Sequence, residues 1–333
     1  MINVAVIGYG YWGPRVARNF YSSGQTRLHT ICDQRPESLQ KAHEDYPDVA
    51  TTANALDVLA SPAIDAVAIV TPVWTHFNFA KLALENGKHV WVEKPFTLST
   101  DQASELIDLA EKKHLTIMVD HTFLFTGAVK KIREYVDDST LGSLYYYDST
   151  RVNLGLFQHD VNVVWDLAPH DLAIMDFLIR KDPEALTATG QKHLNGVEDM
   201  AYITIFYPDK LIAHISVNWL SPVKVRTTLL GGEKKMLVWN DLEADEKIRV
   251  YDKGVRIDSH AGVYDLLVSY RSGDMWAPKI EQTEALRVEA RYFADCISHG
   301  TTPINGGIAG HRVVRLLEAA TESIKNRGRI VEL

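Results

Sequence analysis

A histidine and an aspartate four positions apart have the types and spacing of a proton-transfer pair. Asp166 and His170 share one helical face if a helix has begun at Asp166, whereas a helix that begins only at Pro169 leaves Asp166 beside its first turn. Either arrangement places a carboxylate near an imidazole at a helix N-terminus, whose dipole favours the neutral histidine that a general base requires. The alternative is a capping aspartate with a partly exposed histidine, which the spacing alone predicts equally well.

A lysine stands directly after an apolar, strand-like run. Lys94 lies between Glu93 and Pro95 and follows His89–Val92. Ligands of open α/β sheets bind at the carboxyl ends of parallel strands, which favours a site residue over the alternative of a solvated surface lysine. The same reasoning, applied to the end of the run 66–70, adds Thr71, Pro72 and His76.

A glycine pattern near the start of the chain has the context of a dinucleotide fingerprint. Gly8–Gly13 reads G-x-G-x-x-G, follows the predicted strand Asn3–Ile7 and opens the predicted helix Pro14–Ser23. Glycines let the backbone approach a pyrophosphate closely, and the helix N-terminus offers unpaired N–H groups to it. The alternative is an ordinary glycine turn before a helix. The predicted cofactor contacts in this loop are Gly8, Gly10, Tyr11, Trp12 and Gly13.

The residue that ends the second predicted strand decides between two cofactors. Asp33 stands 20 residues after Gly13. A carboxylate there accepts hydrogen bonds from both adenosine ribose hydroxyls and repels a 2′-phosphate, so NAD is predicted over NADP. Arg35 remains able to stack on adenine or to tolerate a phosphate.

The elements that position these residues fall into two predicted domains. Up to about residue 120, short apolar runs without alternation are interleaved with helical patterns, which predicts an α/β Rossmann domain with a parallel, doubly wound sheet. From residue 121 several runs alternate with period two, which predicts an α+β domain with a large, mostly antiparallel open sheet. We expect domains at 1–120 and 121–305, with a C-terminal helix in 306–333 that packs back on the first.

Composition limits the class of protein. The 333 residues correspond to about two domains. The formal charge of -8 argues against nucleic acid as the main partner but leaves room for a small anion held by one or two arginines. Cys32 and Cys296 offer neither a disulfide framework nor zinc-ligand spacing, so no metal is expected. The longest uncharged apolar run, 15 residues from 66 to 80, is too short to span a membrane, and no signal peptide is visible. We expect a cytoplasmic protein.

The glycine, Thr-Pro, Glu-Lys-Pro and Asp-x-x-x-His clusters, in this order, resemble those of the Gfo/Idh/MocA oxidoreductase family. The resemblance covers essentially the whole chain. More narrowly, Gly8–Pro14, His121–Leu124 and Trp165–Asp171 are similar to its sugar-nucleotide dehydrogenase branch. In that branch an Asn commonly stands at the position of Arg15, and we would expect a Gly at the position of Asp120.

The resemblance implies a role for each catalytic candidate. Lys94 would hydrogen-bond the reacting hydroxyl or carbonyl, and its bond to Pro95 would be cis. His170 would be the general base, and Asp166 would orient it or couple to its proton. Glu93 and His121 would join the cofactor site.

Candidates for substrate contacts come from the second domain. Strand parity places Arg151 and Asn153 on one face, where an arginine suits a diphosphate or carboxylate. Gln158, Asn162 and His121 are weaker candidates for sugar hydroxyls. For each of these residues, a solvated sheet edge is the alternative.

The function expected from these residues and this resemblance is hydride transfer between NAD and a ring hydroxyl of a sugar. The leading substrate is a nucleotide-linked amino sugar oxidised at C3. The alternatives within the family are a 3-ketosugar reductase and a polyol or glycoside dehydrogenase. A non-catalytic cofactor sensor is the alternative of a different class, but it would not need Lys94, Asp166 and His170 together. The exposed sheet face and the resemblance predict a homodimer or homotetramer.

Overall fold

The computed structural model describes residues 1–155, 161–194, 196–258 and 267–333. The chain divides into two units. Unit 1 comprises residues 1–126 and 283–318, and unit 2 comprises residues 127–282 and 319–333. The segment 283–305 therefore belongs to unit 1, whereas the boundaries expected from the sequence assigned it to the second domain.

Strands and helices alternate through the first stretch of unit 1. The strands are β1 (Ile2–Ile7), β2 (Thr26–Cys32), β3 (Ala50–Thr52), β4 (Ala66–Ile69), β5 (His89–Glu93) and β6 (Ile117–Asp120). The helices are α1 (Gly13–Tyr21), α2 (Pro36–Asp45), α3 (Ala55–Ala60), α4 (His76–Glu85) and α5 (Thr100–Lys113). The sheet has the order β3-β2-β1-β4-β5-β6 with every neighbouring pair parallel, which confirms the predicted parallel sheet.

Local sequence explains where these helices begin. Pro14 and Pro36 stand in the first turns of α1 and α2, where a missing backbone N–H costs no hydrogen bond. Ser99 caps α5 and accepts a hydrogen bond from the amide of Gln102 at 3.2 Å. The short elements β3 and α3 were not predicted, because three and six residues carry too little hydrophobic periodicity.

A second sheet, mostly antiparallel, forms the framework of unit 2. The first elements of unit 2 are α6 (Gly127–Asp137), β7 (Leu144–Leu154), α7 (Val163–Ile179), β8 (Ala185–Gln191), β9 (Met200–Phe206), β10 (Ile212–Asn218) and β11 (Leu220–Gly232). The strands β12 (Met236–Asn240), β13 (Ile248–Asp258) and β14 (Leu267–Trp276) follow. Adjacent strands are antiparallel except β7 and β10, which are parallel. The predicted fold class is thereby confirmed.

The last part of the chain contributes to both units. Helix α8 (Ala285–His299) places Phe293 and Cys296 in the core of unit 1, and the Phe293 and Phe20 rings meet edge to face at 6.2 Å. Helix α9 (Gly307–Lys325) crosses the unit boundary at residue 318, and β15 (Val331–Glu332) pairs with β8 of unit 2. The sequence had assigned all of 306–333 to the first domain. Within the described part of the chain, no helix is long and apolar enough to cross a membrane.

Strand β10 has one buried and one partly exposed face. Ala213, Ile215 and Val217 are buried, as their alternation predicted. On the other face His214 is partly exposed and stacks on Tyr202 with ring centroids 6.3 Å apart. The subunit contact expected at this face stays a prediction.

Candidate active site

The glycine-rich loop has the backbone of a phosphate cradle. Gly8 has a φ of +101°, and a Cβ on it would lie 2.4 Å from the carbonyl oxygen of Val70. A Cβ on Gly13 would lie 2.2 Å from the carbonyl oxygen of Gly8. The start of α1 can therefore approach the end of β1 only because residue 13 has no side chain. A Cβ on Gly10 would meet only the Arg35 guanidinium, at 3.4 Å.

The start of α1 is also suited to an anion. No side chain caps this helix, and its first turn carries no acidic residue. Pro14 has no N–H, and the Arg15 amide donates to the Trp12 carbonyl oxygen at 2.9 Å. Among the described residues, the Gly13 N–H of this turn is left for a negatively charged oxygen, which the helix dipole also favours. The glycine-rich loop and the start of α1 together fit the pyrophosphate of a dinucleotide.

Asp33 follows β2 at the same edge of the sheet and is strongly hydrogen-bonded. Its carboxylate accepts the Tyr9 amide at 2.7 Å and both Nε and Nη2 of Arg35 at 3.0 Å. Burial raises the pKa of Asp33, but the Arg35 and Tyr9 hydrogen bonds outweigh it and hold that pKa below its ordinary value. The carboxylate is therefore charged at neutral pH, as a ribose-binding acceptor requires.

His76 links two of the predicted strand ends. Its ring is buried, with Nδ1 at 2.9 Å from the Pro95 carbonyl oxygen and Nε2 at 2.8 Å from the Thr71 carbonyl oxygen. Burial lowers the pKa of His76, so the ring is neutral and donates its single N–H to one of these two carbonyl oxygens while the other nitrogen faces the second. His76 therefore contacts the loops after β4 and β5 rather than presenting a polar group to a ligand. The Thr71 hydroxyl pairs with that of Thr75, and Pro72 is exposed.

Lys94 follows β5 among buried titratable groups. Its peptide bond to Pro95 is cis, and its amide donates to Glu93 Oε2 at 2.9 Å. His121 is 2% exposed, and neither of its ring nitrogens has a hydrogen-bond partner among the described residues. Burial, with a contribution from the Lys94 charge, lowers the pKa of His121 to about 3, so the ring is neutral. Buried nitrogens without partners are what a polar ligand would complete.

The sequence did not indicate two acidic residues near Lys94 and Glu93, which are Asp120 and Glu289. Asp120 ends β6 beside Glu93, and its Oδ2 accepts the indole N–H of Trp12 at 3.2 Å. Glu289 of α8 is fully buried near Asp120. The only available signal was an aspartate where the resembling branch was expected to carry glycine. Glu289 is far from Asp120 in the sequence, so nothing in the sequence indicated that the two residues are close in the fold.

In unit 2 the proposed acid–base pair lies near the start of α7. Asn162 caps this helix by accepting the Trp165 amide at 3.1 Å, so the helix has begun before Asp166 and continues through Pro169. Asp166 and His170 therefore share a face, and Asp166 Oδ2 accepts the Trp219 indole N–H at 3.1 Å. The structure decides between the two helix starts that the sequence left open.

The residues of unit 2 that were predicted to contact the substrate differ in their surroundings. Asn162 is occupied by its cap and by Glu198, which accepts its amide N–H at 2.8 Å. Asn153 is partly buried near the end of β7. Gln158 lies outside the described residues.

Arg151 lies on the buried face of β7 rather than at an open edge. It is 4% exposed, and its Nε and Nη2 donate to the two carboxylate oxygens of Asp171 at 2.6 and 3.2 Å. Asp171 also accepts the Ser149 hydroxyl at 2.6 Å. Strand parity had correctly grouped Arg151 with Ser149, but that face is covered by α7. The guanidinium is committed to an internal ion pair instead of a diphosphate.

Family models match both units of the chain. Residues 2–121 match the oxidoreductase family with an NAD-binding Rossmann fold, named GFO/IDH/MocA, and residues 129–238 match the GFO/IDH/MocA C-terminal domain. The chain belongs to the Gfo/Idh/MocA family. The family resemblance, the NAD-binding Rossmann domain and the oxidoreductase class expected from the sequence are confirmed.

Relatives in this family act on several polyhydroxy substrates. UDP-N-acetylglucosamine 3-dehydrogenase of Acidithiobacillus ferrooxidans is 26% identical over 94% of this chain and 94% of its own length. The NAD-dependent scyllo-inositol 2-dehydrogenase of Bacillus subtilis is 23% identical over 98% of this chain and 94% of its own. A solved levoglucosan dehydrogenase complex with NADH and levoglucosan has a TM-score of 0.84, with 19% identity over 99% of both chains, and supports the fold.

We predict that Arg151→Ala destabilises unit 2 by about 3–5 kcal/mol, because it leaves Asp171 charged and unpaired in the interior. The measurement is urea unfolding followed by fluorescence and circular dichroism. Arg249→Ala, which removes a more exposed ion pair with Glu246, is the control and should leave the midpoint nearly unchanged. A loss of substrate affinity at unchanged stability would instead make Arg151 a ligand-binding residue.

Proposed function

We propose that this protein is an NAD-dependent dehydrogenase that oxidises a ring hydroxyl, at C3, of a nucleotide-linked amino sugar. The observation that carries the cofactor assignment is the glycine cradle at the start of α1 together with the charged Asp33. The similarity to UDP-N-acetylglucosamine 3-dehydrogenase over nearly the whole chain supports the substrate class and the C3 position.

The proposed mechanism divides the work between Lys94 and a helix-borne acid–base pair. A bound NAD would supply the acceptor for the hydride of the substrate carbon. Lys94 donates a hydrogen bond to the reacting oxygen and orients it. His170 accepts the hydroxyl proton, and Asp166, held by the Trp219 indole, orients His170 and stabilises its protonated form. The same groups serve the reverse reaction, reduction of a 3-ketosugar.

A second candidate is oxidation of a free polyol or of a sugar without a nucleotide. The specific observation that favours it is the ion pair of Arg151 with Asp171, which removes the arginine expected to bind a diphosphate. The similarity to scyllo-inositol 2-dehydrogenase supports the same class.

The substrate class is tested by thermal shift in the presence of NAD. We expect a rise in the unfolding midpoint with UDP-sugars, because a ligand that binds only the folded chain stabilises it by mass action. The panel should include UDP-, dTDP- and GDP-sugars, inositol and free sugars. A shift with inositol or a free sugar alone would replace the nucleotide-sugar proposal by the second candidate.

The role of Lys94 is tested by Lys94→Ala. Turnover should fall by about a hundredfold or more, since a group that acts on the reacting oxygen is lost, while NAD affinity stays close to that of the wild type. The measurements are NADH absorbance for turnover and calorimetry for NAD. Lys112→Ala, an exposed change in the same unit, is the control. Unchanged turnover in Lys94→Ala would remove the assigned role.

Cofactor choice is tested by Asp33→Ser. Removing the carboxylate abolishes the repulsion of a 2′-phosphate and releases Arg35 to pair with it. We expect the ratio of kcat/KM for NAD to that for NADP to fall by about tenfold or more. Asp108→Ser, an exposed change in α5, is the control. A wild-type protein that already prefers NADP would contradict the assignment.

A further inference from the structure

Glu289 is a fully buried carboxyl group in the interior of unit 1. It is 0% exposed, and its Oε1 accepts the Asn305 amide N–H at 2.8 Å. Its Oε2 has no hydrogen-bond donor among the described residues, and no described cation forms an ion pair with it. A buried carboxylate without a cation is strongly disfavoured, so such a group keeps its proton.

Asp120, the neighbour of Glu289, is already supplied with donors. Its Oδ2 accepts the Trp12 indole N–H, and its Oδ1 accepts both the amide, at 3.1 Å, and the hydroxyl of Thr122. Both carboxyl oxygens of Asp120 therefore serve as hydrogen-bond acceptors. Asn305 holds Glu289 against the end of β6, because its amide nitrogen donates to Glu289 Oε1 at 2.8 Å and to the carbonyl oxygen of Val119, the residue before Asp120, at 2.7 Å. Two carboxylates hold no hydrogen between them, whereas one proton makes Glu289 the donor and Asp120 the acceptor.

The acidic groups around this pair act in the same direction, while the Thr122 hydroxyl makes a smaller contribution that lowers the pKa of Glu289. Burial, followed by the charge of Asp120 and that of Glu93 on β5, raises the pKa of Glu289 well above its ordinary value of 4.5. Burial, followed by the charge of Asp120, also raises the pKa of Glu93 well above its ordinary value, and the positive charge of Lys94 opposes this shift. Lys94 also acts on His121. Although three carboxyl groups lie near one another, they are not placed as a set that could hold a metal ion.

We propose that Glu289 holds a proton that it donates to Asp120, and that this pair positions Trp12, and with it the start of α1, for the dinucleotide. Trp12 is the residue before Gly13, so its indole fixes the end of the glycine-rich loop. Loss of the proton would place two negative charges in contact and push Asp120 away from Trp12. Glu289 and Asp120 are positioning residues here, and the inference rests on the proposed function for the identity of the ligand.

The proton on Glu289 is tested by the pH dependence of stability. Glu289→Gln keeps a donor toward Asp120 and an acceptor for Asn305 but cannot ionise. Below the ordinary pKa of 4.5 the group is protonated in the folded and the unfolded chain. Above it only the unfolded wild-type chain releases the proton, so wild-type stability declines relative to Glu289→Gln as pH rises.

The measurement is the thermal unfolding midpoint of both proteins between about pH 5 and pH 8.5. We expect the midpoint of Glu289→Gln to gain on that of the wild type by at least about 3 °C across this range. Glu111→Gln, an exposed change in α5, is the matched control and should show no such trend. A difference that stays constant with pH would overturn the proton assignment.

The link to the glycine-rich loop is tested by direct calorimetric binding of NAD. Asp120→Asn and Trp12→Phe should each weaken NAD binding by about tenfold or more at neutral pH, the effect of losing one hydrogen bond to a carboxylate. Glu289→Gln should bind like the wild type at neutral pH and keep its affinity at alkaline pH, where the wild type loses affinity. Wild-type affinity in Asp120→Asn and Trp12→Phe, or identical pH profiles for wild type and Glu289→Gln, would overturn the positioning role.

These two measurements separate this inference from the proposed function. If the wild-type chain binds neither NAD nor NADP, the proposed function fails, whereas the stability comparison still decides whether Glu289 holds a proton. If NAD binds and the stability difference does not change with pH, the proposed function stands and the proton assignment fails.

Discussion

The glycine-rich turn of unit 1 depends on close backbone contacts that are possible only where a residue carries a hydrogen atom instead of a side chain. A Cβ on Gly13 would lie 2.2 Å from the carbonyl oxygen of Gly8, and a Cβ on Gly8 would lie 2.4 Å from that of Val70. These approaches let α1 begin close to the carboxyl end of β1, after the turn 8–12, with the end of β4 in contact. The N-terminus of α1 and the residues that leave the neighbouring parallel strands therefore meet at one edge of the sheet.

Several carboxyl groups lie at that edge, and the protein accommodates their charge in two ways. Asp33 is paired with Arg35 and the Tyr9 amide, so it keeps its charge at neutral pH. Glu289 has no such cation among the described residues and is surrounded by other acids, so burial favours its protonated form. The first arrangement leaves a charged acceptor for a ribose, and the second provides a hydrogen-bond donor inside the unit.

Helix α7 combines structural and proposed catalytic roles at consecutive positions. Asp171 forms the ion pair with Arg151 that joins α7 to β7, and the residue before it is His170. Asp166 lies one turn earlier on the same face as His170 and is fixed by the Trp219 indole. These contacts with β7 and with the residue that follows β10 fix the orientation of the helix, and hence the direction of His170, as the proposed role of general base requires.

Much of the fold and part of the candidate site were predictable from local sequence. Strand and helix periodicity predicted the parallel and antiparallel sheets, because the period of apolar residues reports which faces are covered. The spacing of the glycines and of Asp33 predicted the cofactor edge, because parallel strands deliver their last residues to one place. The assignment of α8 to unit 1 was not predictable, because its apolar stripe fits any apolar surface.

The sequence by itself determined the types of the longer elements, the glycine cradle and the residues at the strand ends, since each depends on neighbours in the chain. Only the tertiary structure decided what lies opposite each polar side chain. It paired Arg151 with Asp171, placed His76 between two backbone carbonyls, and brought Glu289, through Asn305, to the end of β6. The charge state and availability of a buried group depend on such partners, which local spacing does not specify.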